Sequence, residues 1–424
     1  TDLKSLTPDW ITYNGADISP GPYAARNFVT PVTYTVVAAD GSEAVWTVIV
    51  SLQPLNDTGD IGTYLTAAAS AYDGDAADPI PLPVAIDLAS DWTDLLDAIE
   101  TAGEYVALDL SSSTVTGTEF DPGTASGGED KIVSLVLPDG AEEIKAGTGN
   151  PASSVTFKDF TALTSVEGAG IETVGSLAFA ACTSLETVNL PAVKTLGAEA
   201  FLRCTGLTAV SLPASLTTVG SGSPFPHCIN LTSITVDPAN PSFKHSADKK
   251  MLLSKDGKTL YAYPSATGDL SADSTLAGIT VVGSSAFEGC TGLTAVNFPA
   301  AVSIDLEAFL VCSSLETVSL PAATFIGNAA FSYTGTGSLT LTLGSTPPAL
   351  RTNMFSGINS PKTVTVKVPS GATAWDSIVS GSPYSGSDTT DNWGNAFRGK
   401  GWNGANYLSG GVNGNITLTI EELP

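Results

Sequence analysis

The chain has 424 residues, with 17 Lys and Arg against 43 Asp and Glu, a net charge of −26, yet only 14% of its residues are charged. Phosphate recognition rests on clustered Lys and Arg, so this balance excludes nucleic acid and anionic membrane surface as expected partners. Only two histidines are present, which leaves Ser-His and Cys-His catalysis short of bases, and no apolar run approaches the ~18 residues of a membrane span.

In chain order, residues 1–54 lack the repeat described below. Segments 31–38 and 44–51 alternate apolar and polar residues around Ala39-Asp40-Gly41-Ser42, which predicts a hairpin, and Trp10 to Tyr13 reads as a further strand. The Thr30-Pro31-Val32-Thr33-Tyr34-Thr35-Val36 stretch resembles the immunoglobulin-like domains of Bacteroidetes surface proteins. The resemblance implies a small β-sandwich over 1–54, short enough that an N-terminal strand is expected outside this chain. Residues 51–150 hold 19 acids and two lysines. Within them 55–83, with Asp57, Asp60, Asp73, Asp75 and Asp78 among small residues, reads as an acidic linker. The spaced aspartates 73, 75 and 78 leave Ca²⁺ binding open, without the glycine and terminal glutamate of a calcium loop. Trp92, Leu95, Leu96 and Ile99 recur at helical spacing, with Gly103 to end the helix, so Asp91–Thr101 is expected to be a helix capping the first coil. Val106 to Leu110 and Ile132 to Pro138 read as degenerate coils.

The repeat then becomes explicit. All five cysteines follow a phenylalanine by three residues: Phe179/Cys182, Phe201/Cys204, Phe225/Cys228, Phe287/Cys290 and Phe309/Cys312; Phe331 continues the register with Thr334 in the cysteine's place. The phenylalanine spacings are 22, 24, 62, 22 and 22 residues. A period near 22 is that of a leucine-rich solenoid, whose coils each give one short strand and bury their apolar side only against a neighbour. Every coil carries an L-x-x-[V/I]-x-[L/V/F] run: Leu185/Val188/Leu190, Leu207/Val210/Leu212, Leu231/Ile234/Val236, Leu293/Val296/Phe298 and Leu315/Val318/Leu320. Proline closes each strand at 191, 213, 238, 299 and 321, because it lacks an amide donor. A glycine turn is expected at 175, 197, 220, 283 and 327, with Asp305 holding the equivalent turn by tolerating an unusual φ. The odd cysteine count and repeat-length spacing fit neither a zinc pattern nor a disulfide framework. An inert ladder of buried thiols is expected, with redox or metal chemistry as the alternative.

The 62-residue gap holds an insertion, 237–273, in which Lys255-Asp256-Gly257-Lys258 between apolar segments predicts a hairpin. Coils of the form A-F-x-x-C-x-x-L-x-x-V-x-L-P, broken by Asn240-Pro241-Ser242-Phe243 and by Gly257-Lys258 to Tyr263-Pro264, resemble the BspA-like leucine-rich repeats of bacterial surface proteins over about 130–370. The resemblance implies an exported protein, often an outer-membrane lipoprotein, whose signal and anchor lie outside this chain. It also implies adhesion to host matrix proteins or to bacterial surface proteins.

Strands at 338–343 and 362–368 continue the coils to 369, and 370–424 is rich in Gly and aromatics: Trp375, Tyr384, Trp393, Phe397, Trp402 and Tyr407. A C-terminal cap is the plain reading of this segment. A sugar-stacking platform of Trp375, Trp393 and Trp402 is the alternative.

The expected fold is thus mainly β, a leucine-rich repeat solenoid over 84–369 with parallel strands and coils of ~22 residues, preceded by a small immunoglobulin-like β-sandwich. No catalytic residue, metal or cofactor is expected. His227 beside Cys228 invites a Cys-His pair, but adjacent residues point apart, and Glu142-Glu143 and Glu421-Glu422 read as solvated surface. The candidate binding residues are the strand positions between the buried ones: Thr187, Asn189, Thr208, Ser211, Thr232, Thr235, Thr294, Asn297, Thr317 and Ser319. Thr and Ser equally suit any exposed strand. The insertion's lysines 244, 249, 250, 255 and 258 form the one basic feature. The expectation for function is a monomeric, non-enzymatic surface binding protein. Its rivals are a structural spacer without a ligand and a glycan-capture accessory.

Overall fold

The structure, a computed structural model, describes residues 17–19, 32–37, 43–48, 54–69, 72, 74–121, 127–147, 157–335, 337–350, 354, 362–375, 407–411 and 414–423. The chain divides into two units, residues 1–115 with 125–140, and residues 116–124 with 141–424.

In the first unit, strands Asp17–Ser19, Val32–Val37 and Glu43–Val48 form an antiparallel sheet in that order, with Tyr34 opposite Trp46. The β-branched runs read from sequence therefore pair as the expected hairpin. The Trp10–Tyr13 strand lies outside the described residues. The stretch read as a linker contains helix α1 (Thr58–Ala68) and strand Ile80–Pro83. Asp57 caps α1 by accepting from the Gly59 amide at 2.9 Å, and Ile61 and Leu65, one turn apart, are buried. The small, acidic composition concealed a helix whose apolar stripe is only two residues deep. Helix α2 (Leu88–Ala102) is longer than the expected 91–101 because Asp87 caps it, accepting from Ala89 N, while Gly103 at φ +73° closes it by donating to Ile99 O and Glu100 O. α2 buries Leu88, Trp92, Leu95, Leu96 and Ile99, and the two helices pack together. Strands Ile80–Pro83, Val106–Asp109 and Ile132–Val136 then run parallel, aligning Leu82 with Leu108 and Leu108 with Leu135.

In the second unit each coil has three hydrogen-bonded sides. The first is the main strand ladder, made of the L-x-x-V-x-L runs. It pairs Ser165–Glu167 with Thr187–Asn189, Ala209–Leu212 with Ser233–Val236, and Gly268–Leu270 with Leu293–Asn297. From there Thr317–Leu320, Ser338–Leu343, Lys362–Val368 and Gly414–Glu422 follow in parallel. The second is a ladder of two-residue strands, Glu143–Ile144, Thr173–Val174, Thr195–Leu196 and Thr218–Val219, resumed at Val281–Val282, Ser303–Ile304 and Phe325–Ile326. The third runs through the phenylalanine turns, where Phe179 N donates to Ala200 O at 2.8 Å and Phe309 N to Ala330 O at 2.9 Å. Two turn positions four residues apart lie in the left-handed region: Leu177 and Ala181, Glu199 and Arg203, Glu307 and Val311, Ala329 and Tyr333, with φ between +54° and +61°. Left-handed backbone in L residues costs about 1–2 kcal/mol each, so the stacked coils impose this geometry.

The repeat glycines act differently from the sequence expectation. Gly175, Gly197, Gly220, Gly283 and Gly327 are not left-handed; a Cβ on Gly197 would sit 2.3 Å from Ser176 N, and one on Gly220 2.3 Å from Ala198 N. They are glycine because adjacent coils approach there too closely for a side chain. Asp305 likewise has no left-handed φ; its carboxylate accepts from Ser303 Oγ at 2.6 Å.

The segment 237–273 is more than an excursion. Strands Phe243–His245, Leu252–Ser254 and Thr259–Ala262 are antiparallel in turn, and the last then pairs in parallel with Val281–Val282, while Gly268–Leu270 joins the main ladder. Its turn has Gly257 at φ +77°. Asn240, fully buried, holds the segment's start: its Nδ2 donates to Pro213 O and Leu216 O, and its Oδ1 accepts from Ser242 N and Phe243 N, all at 2.8–2.9 Å.

Candidate functional site

The interior comes first, because it decides whether reactive groups are available. Phe157, Phe179, Phe201 and Phe225 stack with centroids 5.2, 5.4 and 5.6 Å apart, and Phe287, Phe309 and Phe331 repeat this at 5.0 and 5.3 Å. Tyr263, from the inserted segment, continues the second stack, 5.6 Å from Phe287. All five cysteines are free and buried. Each donates its thiol to the carbonyl of the aromatic one coil earlier: Cys182 to Phe157 at 2.9 Å, Cys204 to Phe179 at 3.0 Å, Cys228 to Phe201 at 3.0 Å, Cys290 to Tyr263 at 3.2 Å and Cys312 to Phe287 at 3.1 Å. The residue type is thereby explained: a small apolar filler that also satisfies a buried carbonyl. Burial pushes every thiol up, Cys204 and Cys290 to about 12, which keeps them protonated and unreactive. Phe157 and Tyr263 were not legible as ladder members, since neither is followed by cysteine.

His227 does not face Cys228. Its Nε2 lies 3.4 Å from Glu288 Oε1, and Glu288 is buried. Glu199 and Glu307 belong to neighbouring coils, and burial together with the Glu288 charge raises both carboxyls. Asp75 turns inward on its own backbone, accepting from Ala77 N and Asp78 N, while Asp73 lies outside the described residues. Among the described residues no group of three or more His, Cys, Asp or Glu is placed to hold a metal ion.

The candidate binding residues fall on the main ladder. Thr187, Asn189, Thr208, Ser211, Thr232 and Thr317 are exposed; Thr235, Thr294, Asn297 and Ser319 are half-buried. Register brings Ser211 beside Thr235 and Asn297 beside Ser319. Some hydroxyls are occupied within the fold, as Thr235 Oγ1 donates to Val210 O at 3.1 Å. Sequence reasoning missed the row's continuation, in which Thr317, Thr340, Thr365 and Thr419 lie in successive register. The strands that carry this continuation alternate Thr with Val, Leu or Ile but follow no Phe/Cys pair, so the full repeat did not flag them. The lysines of 237–273 are dispersed: Lys249, Lys250 and Lys258 are exposed, while Lys255 Nζ donates to Asn240 O at 2.5 Å.

One proposed platform residue is corrected. Trp375 is buried, 2% exposed, and its Nε1 donates to Gly344 O at 3.0 Å, so its ring seals the core and presents no face to a sugar. Trp393 and Trp402 lie outside the described residues.

Stacked parallel strands, an internal aromatic ladder and a ~22-residue period define the class, a leucine-rich repeat solenoid. Residues 129–250 and 270–373 match the family model described as BspA type leucine rich repeat region, and the chain belongs to that family. Residues 1–50 match the model SGBP, N-terminal. No curated protein matches. Among solved structures the chain is similar to the pneumococcal vaccine antigen PcpA, at 18% identity over 63% of this chain and 83% of that one, TM-score 0.38. It is also similar to a leucine-rich repeat protein from Eubacterium ventriosum, at 14% identity over 80% and 78%, TM-score 0.38. A third is a leucine rich cell surface protein from Faecalibacterium prausnitzii, at 19% identity over 57% and 76%, TM-score 0.31. Among the described residues no helix is long and apolar enough to cross a membrane.

Proposed function

We propose that this chain is a non-enzymatic binding protein of the bacterial exterior, cell-surface or secreted, that holds a protein partner on the outer side of its main strand ladder. The partner is a host matrix protein or a bacterial surface protein. One observation carries the reading: the hydroxyl row Thr317, Thr340 and Thr365, in register on parallel strands that the stacked core holds fixed. A rigid, uncharged row of hydroxyls loses little entropy on binding and offers hydrogen bonds without a charge to desolvate. Buried thiols whose protons burial holds, and a His227 whose Nε2 lies against Glu288, support the non-enzymatic reading.

The test is an array of matrix proteins, bacterial surface proteins and glycans probed with the full chain, then with Thr317→Lys/Thr340→Lys. Capture of a protein, weakened about tenfold or more by the double variant, supports the reading. Capture of glycans alone, or of nothing, overturns it.

A further inference from the structure

Both strand ladders and the ring stack stop and restart at the inserted segment. The main ladder ends at Ser233–Val236 and resumes at Gly268–Leu270, the second ends at Thr218–Val219 and resumes at Val281–Val282, and the rings pass from Phe225 to a new stack begun by Tyr263. The phenylalanine turns are joined across this seam, but not in full. A complete junction has three bridging amides, as in Ser285 N to Leu306 O, Phe287 N to Ala308 O and Gly289 N to Leu310 O. Between the turns of Phe225 and Phe287 the outer two remain, Ser223 N to Ser284 O at 2.9 Å and His227 N to Glu288 O at 3.2 Å. The middle one is lost because Tyr263 N takes Ala286 O at 2.8 Å, and Phe225 N turns back to Ser223 Oγ.

The chain has two histidines, and both lie at this seam, one on the turn side and one on the strand side. On the turn side the His227 ring lies over Gly289, where a Cβ would come within 2.4 Å of Nδ1, and its Nε2 is 3.4 Å from Glu288 Oε1. Glu288 is 8% exposed, and its Oε2 is buried without a hydrogen-bond partner. A protonated imidazole compensates that carboxylate, whereas a neutral one leaves a buried charge with weak support. Burial and then the Glu288 charge raise the carboxyls of Glu199 and Glu307, so on acidification they give up their repulsion early and act in the same direction. The Cys290 and Cys312 thiols also lie within reach of the Glu288 charge, and Arg203, one coil from His227 in the same row of turns, is exposed.

On the strand side the sign reverses. His245 Nδ1 accepts from Val236 N at 3.0 Å, and a backbone amide can only donate, so this nitrogen carries no proton. Protonation turns it into a donor and ends the bond. The neighbouring bond of the same edge, Ile234 N to Lys249 O at 2.5 Å, has no titrating member. His245 pairs in its sheet with Leu252, and the charged residues nearest along the chain are Asp237, Lys244, Asp248 and Lys249. Among the described residues none of these makes an ion pair with it. We propose that the two histidines make this seam a pH-operated joint with opposed sides: on acidification His227 closes the turn side on Glu288 while His245 releases the strand side at Val236, and return to neutral pH reverses both. Histidine changes charge between about pH 5 and 8, where the other side-chain types ordinarily keep theirs. The joint is independent of which partner the strand face holds.

Amide exchange on the full chain, compared at about pH 5.5 and about pH 7.5 and corrected for intrinsic exchange, tests the joint. At the acidic pH the Ser223 and His227 amides are expected to be about fivefold more protected and the Val236 amide about fivefold less, while Phe179 and Ala181, in a junction without histidine, stay level. His227→Gln and Glu288→Gln each remove the titrating pair, and each is expected to abolish most of the turn-side change while the strand-side change remains. His245→Gln, whose side-chain oxygen can still accept from Val236 N, is expected to do the opposite. Because the chain has two histidines, each imidazole NMR resonance is assigned by its loss in the matching variant, and its titration midpoint should coincide with the change in protection on its own side. Changes of one sign on both sides, no change on either, midpoints that do not coincide, or a change that keeps its size in the matching variant overturns the proposal.

Discussion

Asn240 and the cysteines show how single residues hold a coil in place. Asn240 makes four hydrogen bonds from a fully buried site, two to the carbonyls of the preceding coil and two from the amides that start the next strand. Removing the side chain strands buried groups on both sides, so Asn240→Ala is expected to cost about 3 kcal/mol, measured by chemical denaturation. Asn240→Asp is expected to cost a comparable amount, because the carboxylate cannot donate to Pro213 O and Leu216 O. The thiols make a prediction about pH. Burial holds their folded pKa values above the ordinary thiol value of 9.0, at about 12 for Cys204 and Cys290. The folded state therefore holds these protons more tightly than the unfolded chain. Stability from this source is full below pH 9.0 and falls as pH rises toward about 12. In native protein at pH 8 a thiol reagent should label none of the five cysteines, and all five should react once the chain is unfolded. Rapid labelling of any of them in the native state contradicts the inert ladder.

At the level of elements, coil and helix place opposite demands on glycine. Gly62 lies within α1 with nothing within 4 Å of the position a Cβ would take, so it serves no packing need. Gly62→Ala is expected to raise stability by about 0.5–1 kcal/mol through lost unfolded-state entropy. A Cβ at Gly197 would sit 2.3 Å from Ser176 N, so Gly197→Ala must push two coils apart at a place where both are rigid backbone. A loss of about 2–3 kcal/mol in the same denaturation experiment is expected, in the range of core overpacking. This contrast also marks what the sequence could reveal. The period, the strand runs and the Phe/Cys turn were legible because each is a repeated pattern of buried side chains, and α2 because its stripe is five residues deep. The reason for each glycine was not legible, since it depends on a backbone in another coil. α1 was hidden by composition, and the inserted segment's strands Phe243–His245 and Gly268–Leu270 by their place in the 62-residue gap, where no neighbouring repeat sets a register. For the candidate site, the outward strand positions followed directly from the alternation. The break in the main ladder between 187–189 and 209–212 did not, because both strands carry the same consensus as their paired neighbours.

For the whole molecule, charge and interior are segregated along the chain. Residues 51–150 carry 19 acids and two lysines, and the helices α1 and α2 lie within that stretch. Asp57 and Asp60 at the start of α1, and Asp87 and Asp91 at the start of α2, sit favourably against the positive ends of the helices. Neither helix has a basic residue in its last turn, so the remaining acids repel one another without local compensation. Repulsion among exposed like charges is screened over about 10 Å at 0.1 M salt. The amides of α1 and α2 should therefore become more protected from exchange as NaCl is raised from about 10 to about 150 mM, where screening grows most. Protection of the stacked strands at 293–343 should change little, since their stability comes from apolar burial and aromatic stacking. Equal salt response of the two sets would mean that acidity does not limit the helices, and that their packing, through Leu65 and Trp92, sets their stability instead.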